Sequence, residues 1–123
     1  MNTTNTPTKF TTMDPLKRTI VLKSSTWDEH IVTNHNENDI FAIQDNITHP
    51  HIIFRNTQPT QNQNQRNIYM SYKIIDNKLY NVKTVVEFKP IQEHGEIVTN
   101  YMLRKFNEKE ITEGDVLYDS SKS

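Results

Sequence analysis

Cysteine is absent from this 123-residue chain, which removes disulfides, thiolate zinc sites, iron-sulfur clusters and cysteine nucleophiles together. Glycine occurs twice and proline five times, so collagen-like repeats are excluded. None of the GxxxxGK, GxGxxG or GxSxG patterns is present, and P-loop hydrolysis, dinucleotide binding and a serine-hydrolase elbow lose their support. No run of 18 apolar residues offers a membrane span. The opening MNTTNTPTKFTT lacks the apolar stretch of a secretory signal, and this predicts a cytoplasmic protein.

What is there fits a single small polar domain, 33% hydrophobic and 24% charged, with a formal net charge of −1. Asparagine is abundant at 14 residues, and positions 1–13 and 56–65 are nearly all Thr, Asn and Gln. Such stretches bury too little apolar surface to offset an ordering entropy of roughly 1 to 2 kcal/mol per residue. The expected organisation is a disordered polar arm over 1–14, one folded domain over 15–106 and an acidic tail over 107–123. The neutral whole hides a gradient: 66–105 carries seven Lys and Arg against four acids, whereas 106–123 carries two against five. A basic, strand-rich half permits a polyanion partner without requiring one.

Along the chain, the β-branched RTIVL at 18–22 predicts a short strand. Ser24, Ser25 or Thr26 then caps a helix with Asp28 and Glu29 in its first turn and Trp27 and Ile31 on one face, beside His30. Asn36 or Asn38 caps a second helix with Ile40, Ile43 and Ile47 at helical spacing, which His49-Pro50 ends. Strands follow: HIIF from His51, then Asn67 to Ile75, Tyr80 to Lys89 and Glu96 to Arg104. Asp76-Asn77 and the segment from Pro90 to Gly95 supply the turns. The expected fold is α+β, a short N-terminal strand and two helices packed on one face of a four-stranded antiparallel meander.

Alternation places Tyr80, Val82, Val86 and Phe88 on the packed face of that sheet, with Lys83, Glu87 and Lys89 opposite. In the preceding strand Ile68, Met70, Tyr72 and Ile74 are assigned to the packed face, leaving Tyr69, Ser71 and Lys73 open. Arg66 has the parity of Ile68 unless a bulge turns it. Aromatic and basic groups on an open sheet suit RNA, since rings stack on bases and cations meet phosphates.

His30 and His35 are five apart, about 140° around a helix, and so are not paired metal ligands on one helix face. His49 and His51 flank Pro50 at a strand entrance, and His94 lies in an expected turn with no role assigned.

The ordered segments TIVLKSSTWDEHIVTNH, RNIYMSYK, LYNVKTVVEF and GEIVTNYMLRK resemble phage-borne domains of the barnase/EndoU/colicin/RelE-like nuclease superfamily. The resemblance spans about Arg18 to Lys105. It implies a metal-independent endoribonuclease without cofactor, attacking RNA, such as tRNA or another structured RNA, through the ribose 2′-OH to leave a 2′,3′-cyclic phosphate. Carried over by position, His30 and His35 become candidate base and acid, and Arg66 and Lys83 candidate phosphate clamps. Thr99 and Tyr101 line the site, while Tyr69, Ser71 and Lys73 contact substrate. The alternative is a non-catalytic phage-type protein that binds a host or defence protein through the same fold. In a third expectation, the acidic tail folds across the basic sheet as a mimic of RNA backbone.

Overall fold

A computed structural model describes residues 7–32, 39–56, 64–106, 109, 111 and 115–122. Seven strands make one sheet: β1 (Thr8–Met13), β2 (Thr19–Lys23), β3 (Ile52–Arg55), β4 (Gln65–Ile75), β5 (Lys78–Phe88), β6 (His94–Leu103) and β7 (Val116–Asp119). Their order across the sheet is β1-β2-β6-β5-β4-β3-β7. Every neighbouring pair is antiparallel except β2 with β6, which is parallel. A 3-10 turn at Ser120–Lys122 and two short helical segments complete the described elements. One is α1 (Ser24–Thr26), which runs into a single π-helical turn at Trp27–Ile31; the other is α2 (Ile40–Thr48).

This corrects the expected fold class. The structure is a mixed seven-stranded sheet with two short helices, not a four-stranded meander carrying two full ones. Strands β3 to β6 are antiparallel neighbours in chain order, but the sheet grows at both sides from segments whose composition reads as unstructured. β1 lies within the polar arm, where β-branched threonines alternate with Phe10, opposite Leu22 and packed on the core. β7 lies within the acidic tail, where Val116, Leu117 and Tyr118 form an apolar triplet that pairs with β3. The tail returns to the sheet through β7 and the apolar Phe106 and Ile111, and Glu108, Glu110 and Glu113 of the expected acidic mimic lie outside the described residues.

α2 begins at Asp39, not at Asn36 or Asn38; the Asp39 side chain accepts from Phe41 N–H at 2.9 Å. It buries Ala42, Ile43, Asn46 and Ile47, while Phe41 stands 75% exposed. Full burial of Ile43 and Ile47 contributes roughly 1.5 to 3 kcal/mol each. With Ile31 they meet Ile20, Leu22, Ile53, Tyr69, Val86 and Ile97 on the helix-bearing face. The opposite face has its own cluster, in which Phe54, Ile68, Met70 and Val85 are covered partly by Phe106 and Ile111.

A two-residue turn joins β4 to β5, with Asp76 at φ 51° and Asn77 at φ 63°, the left-handed pair that matches hairpin twist. This register sets Met70 opposite Lys83 and Tyr69 opposite Thr84. The face assignment for β4 is therefore inverted from expectation. Tyr69 and Ser71 are buried on the helix side, and Lys73, half-buried, lies opposite Tyr80 on that side. Polar residues on that face bond to one another and to the backbone, and among the described residues the buried Asn46 Oδ1 is left without a partner. Asn46 donates to Tyr69 O and Thr84 Oγ1, both at 2.8 Å, and Thr84 Oγ1 donates to Asn100 Oδ1 at 2.6 Å.

Candidate functional site

On the face opposite the helices, the β4-β5-β6 register builds rows of side chains across three strands. Arg66, Glu87 and Glu96 form the first row; Met70, Lys83 and Tyr101 form a later one; Tyr72, Asn81 and Leu103 the next. The first row is a belt of ion pairs. Arg66 Nε lies 3.1 Å from Glu87 Oε1. Glu96 is reached by Lys23 Nζ from the end of β2 at 3.3 Å and by His94 Nε2 at 3.5 Å. The carboxylates of Glu87 and Glu96 retain 12% and 20% exposure, so this chemistry sits at the surface without being fully solvated.

Glu96 and Lys23 also line an open hollow of about 480 Å³, which Glu29 and His30 from the π-helical turn line as well. The turn matters to this placement: it follows β2 almost without a loop, so the chain bends directly over the end of β6. Acid, base and cation thus converge at one edge of the open face.

The expected site residues divide between the two faces. Arg66 and Lys83 share the open face with Thr99, opposite Val85, and Tyr101, opposite Lys83. Lys83 Nζ lies 5.8 Å from the centre of the Tyr101 ring. His30 lines the hollow at the edge of that face. Tyr69, Ser71 and Lys73 belong to the helix side and do not join them; the Tyr69 ring, wholly buried, has no face to offer a base. His35 lies outside the described residues. His49 and His51 part company, His49 beside Asp45 at 3.4 Å and His51 against the Tyr72 ring at 4.8 Å.

Sequence reasoning misses Lys23, Glu96 and His94. His94 reads as a turn residue, yet β6 begins there, and i, i+2 spacing brings it to the same side as Glu96. Among the described residues, no three His, Asp or Glu side chains converge as a group able to hold a metal ion.

A second cavity, of about 630 Å³, lies further along the open face between β3, β4 and the C-terminal segment. Its floor is apolar, from Ile52, Met70, Phe106 and Ile111, and its mouth carries His51, Tyr72, Asn81 and Lys122. At the rim, the Ser121 hydroxyl and backbone N–H both donate to Asp119 and hold its carboxyl below the usual range.

The helix side holds one more polar cluster. Asp14, nearly inaccessible, accepts from Leu16 N, Arg18 N, Arg18 Nε and Tyr69 Oη. Burial first, and then the Asp14 hydrogen bond, push the Tyr69 hydroxyl far above its ordinary pKa. Asp14 thus orders the β1-β2 turn through Leu16 and Arg18 and ties it to β4 through Tyr69, so the cluster is architectural.

Comparison with protein-family models, curated proteins and solved structures finds no significant match. The nuclease resemblance therefore rests on ordered sequence segments alone. Among the described residues, no helix is long and apolar enough to cross a membrane.

Proposed function

We propose that the open face cleaves RNA without a metal, by attack of a ribose 2′-OH on the adjacent phosphate, in the cytoplasm of a bacterial host. The observation that carries this reading is the Glu96 carboxylate, set between Lys23 Nζ and His94 Nε2 on the wall of the hollow that His30 shares. The reaction needs a base at the 2′-OH, a proton donor for the leaving 5′-oxygen, and cations around a phosphorane of increased charge. Glu96 is the base, His94 or His30 supplies the proton, and Lys23 and Arg66 meet the phosphate oxygens. Because both cations hold carboxylates in the free protein, phosphate entry exchanges one anion for another and releases the Glu96 carboxylate toward the 2′-OH. The ordered segments that resemble the barnase/EndoU/colicin/RelE-like nucleases add support.

The test is incubation of structured RNA with the protein in chelator, scoring 2′,3′-cyclic phosphate ends. Glu96→Gln is expected to lower kcat by a factor of about 10² to 10⁴, with His30→Ala and His94→Ala separating the two proton donors. Intact RNA at high protein concentration, or equal cutting by Glu96→Gln, refutes the mechanism. One observation favours the non-catalytic alternative: Ile74 and Leu79, paired across the β4-β5 hairpin, are 70% and 50% exposed on this same face. A protein partner retained stoichiometrically without RNA, and lost on Ile74→Asp, would replace the enzymatic reading.

A further inference from the structure

We propose that the 630 Å³ cavity is a base-binding subsite for the RNA strand, receiving one nucleobase while the scissile phosphate lies at Glu96. This deepens the cleavage reading and rests on it. The cavity has the size and the mixed lining of a small-ligand site, with Ile52, Met70, Phe106, Ile111 and Val116 apolar and the other lining residues carrying polar groups. A flat heteroaromatic ring matches that division better than an acyl chain does, since a chain calls for apolar walls throughout. The face of the base would lie on Met70, Phe106 and Ile111, and its edge would meet the polar mouth.

Two residues at the mouth are suited to a base in particular. Tyr72 is 58% exposed, which leaves part of its ring open to stacking, and among the described residues its ring neighbour is His51, in an edge contact at 63°. Asn81 stands directly opposite Tyr72 in register. It commits one amide hydrogen to Leu103 O at 3.3 Å and keeps an acceptor and a second donor, the paired functions that read a base edge.

The path to the reaction row is basic. Lys83, with Tyr101 beside it, occupies the row between the cavity and the belt. Asn81 and Glu87 are six residues apart on one strand, a distance of about 20 Å, so a strand of a few nucleotides connects the two sites. Tyr101, 38% exposed, offers a further stacking surface midway.

The experiment measures anisotropy of a labelled oligodeoxynucleotide, which lacks the 2′-OH and is not cleaved, alongside cleavage kinetics on the matching RNA. Tyr72→Ala is expected to weaken oligonucleotide binding at least about fivefold and to raise KM for RNA with kcat unchanged, with the same unfolding midpoint as wild type. Asn81→Ala is expected to narrow the preference among the four bases. Unchanged affinity in Tyr72→Ala with cleavage intact overturns the subsite and leaves the reaction standing. Tyr72-dependent binding with no cleavage supports the subsite and overturns the reaction. Failure of wild type to bind any oligonucleotide, with decanoate shifting the Met70 methyl resonance, overturns the subsite in favour of an acyl ligand.

Discussion

Replacement of Tyr69 by phenylalanine removes one buried hydroxyl and should change how stability depends on pH in a calculable way. In the wild type that hydroxyl donates to Asp14 Oδ2 at 2.5 Å and accepts from Arg18 Nη2 at 3.1 Å. A hydrogen bond to a charged group contributes about 1.5 to 3 kcal/mol, so Tyr69→Phe should cost about 2 kcal/mol at pH 7. Burial beside Asp14 raises the Tyr69 pKa well above the value near 10 of an unfolded chain. Above pH 10 the unfolded state therefore releases a proton that the folded state retains. The unfolded state then binds fewer protons, and stability falls by about 1.4 kcal/mol for each pH unit. Below pH 10 both states hold the proton and the contribution is complete. The phenylalanine variant has no proton to lose at this position, so the difference between the two proteins should close above pH 10. It should reach zero at about pH 11.5, from about 2 kcal/mol divided by about 1.4 per unit. Groups elsewhere in the chain that titrate over the same range do so in both proteins and cancel in the difference. Urea unfolding followed by fluorescence of Trp27, packed against the main core cluster, measures it. Parallel curves for the two proteins between about pH 10 and about pH 11.5 would refute the reasoning.

Two further substitutions probe the sheet. Gly95→Ala places a Cβ 2.6 Å from Phe88 Cε1 and 2.7 Å from Val86 Cγ1, and must displace the ring that also lies 4.5 Å from the Arg18 guanidinium. Overpacking of this kind should cost about 1 to 3 kcal/mol, read as a lowered thermal midpoint. Asn46→Ala deprives Tyr69 O and Thr84 Oγ1 of their shared donor in a site without solvent, and should cost about 2 to 4 kcal/mol in urea unfolding.

Parts of this architecture are legible in the sequence and parts are not, for reasons that can be named. The β5 alternation is readable because Val82, Thr84 and Val86 contrast with Lys83 and Glu87. β4 misleads because both of its sides are buried over 67–71 and the more polar one faces the helices. Asn67, Tyr69 and Ser71 face the helices, and a rule that sends polar residues outward inverts the strand. The turn nevertheless holds the information that rights it. A two-residue connection at Asp76-Asn77 fixes Met70 opposite Lys83, so the parity of β5 dictates that of β4, and Arg66 falls beside Glu87. No local signal could pair β2 with β6 in parallel or add β7 to the β3 edge, because those contacts join segments that lie far apart in the chain. β1 and β7 are hidden by averaging, since six or four strand-forming residues inside a polar stretch leave its composition almost unchanged.

The inverted face also explains why the candidate site is on the other side. The helix side is held in register by hydrogen bonds running across the sheet, from Asn46 to Thr84 and from Thr84 to Asn100, with Tyr69 anchored at its far end by Asp14. A slip of one residue in β5 would break both bonds of Thr84 and carry Lys83 and Glu87 to the helix side, away from the charges they meet on the open face. Apolar packing alone tolerates such a slip more readily in strands with apolar residues at both parities, and β4 and β6 are strands of that kind. The buried polar ladder therefore fixes which charges reach the open face. Glu87 beside Arg66 and Glu96 beside Lys23 and His94 follow from it, and the chemistry of one face depends on the hydrogen bonds of the other.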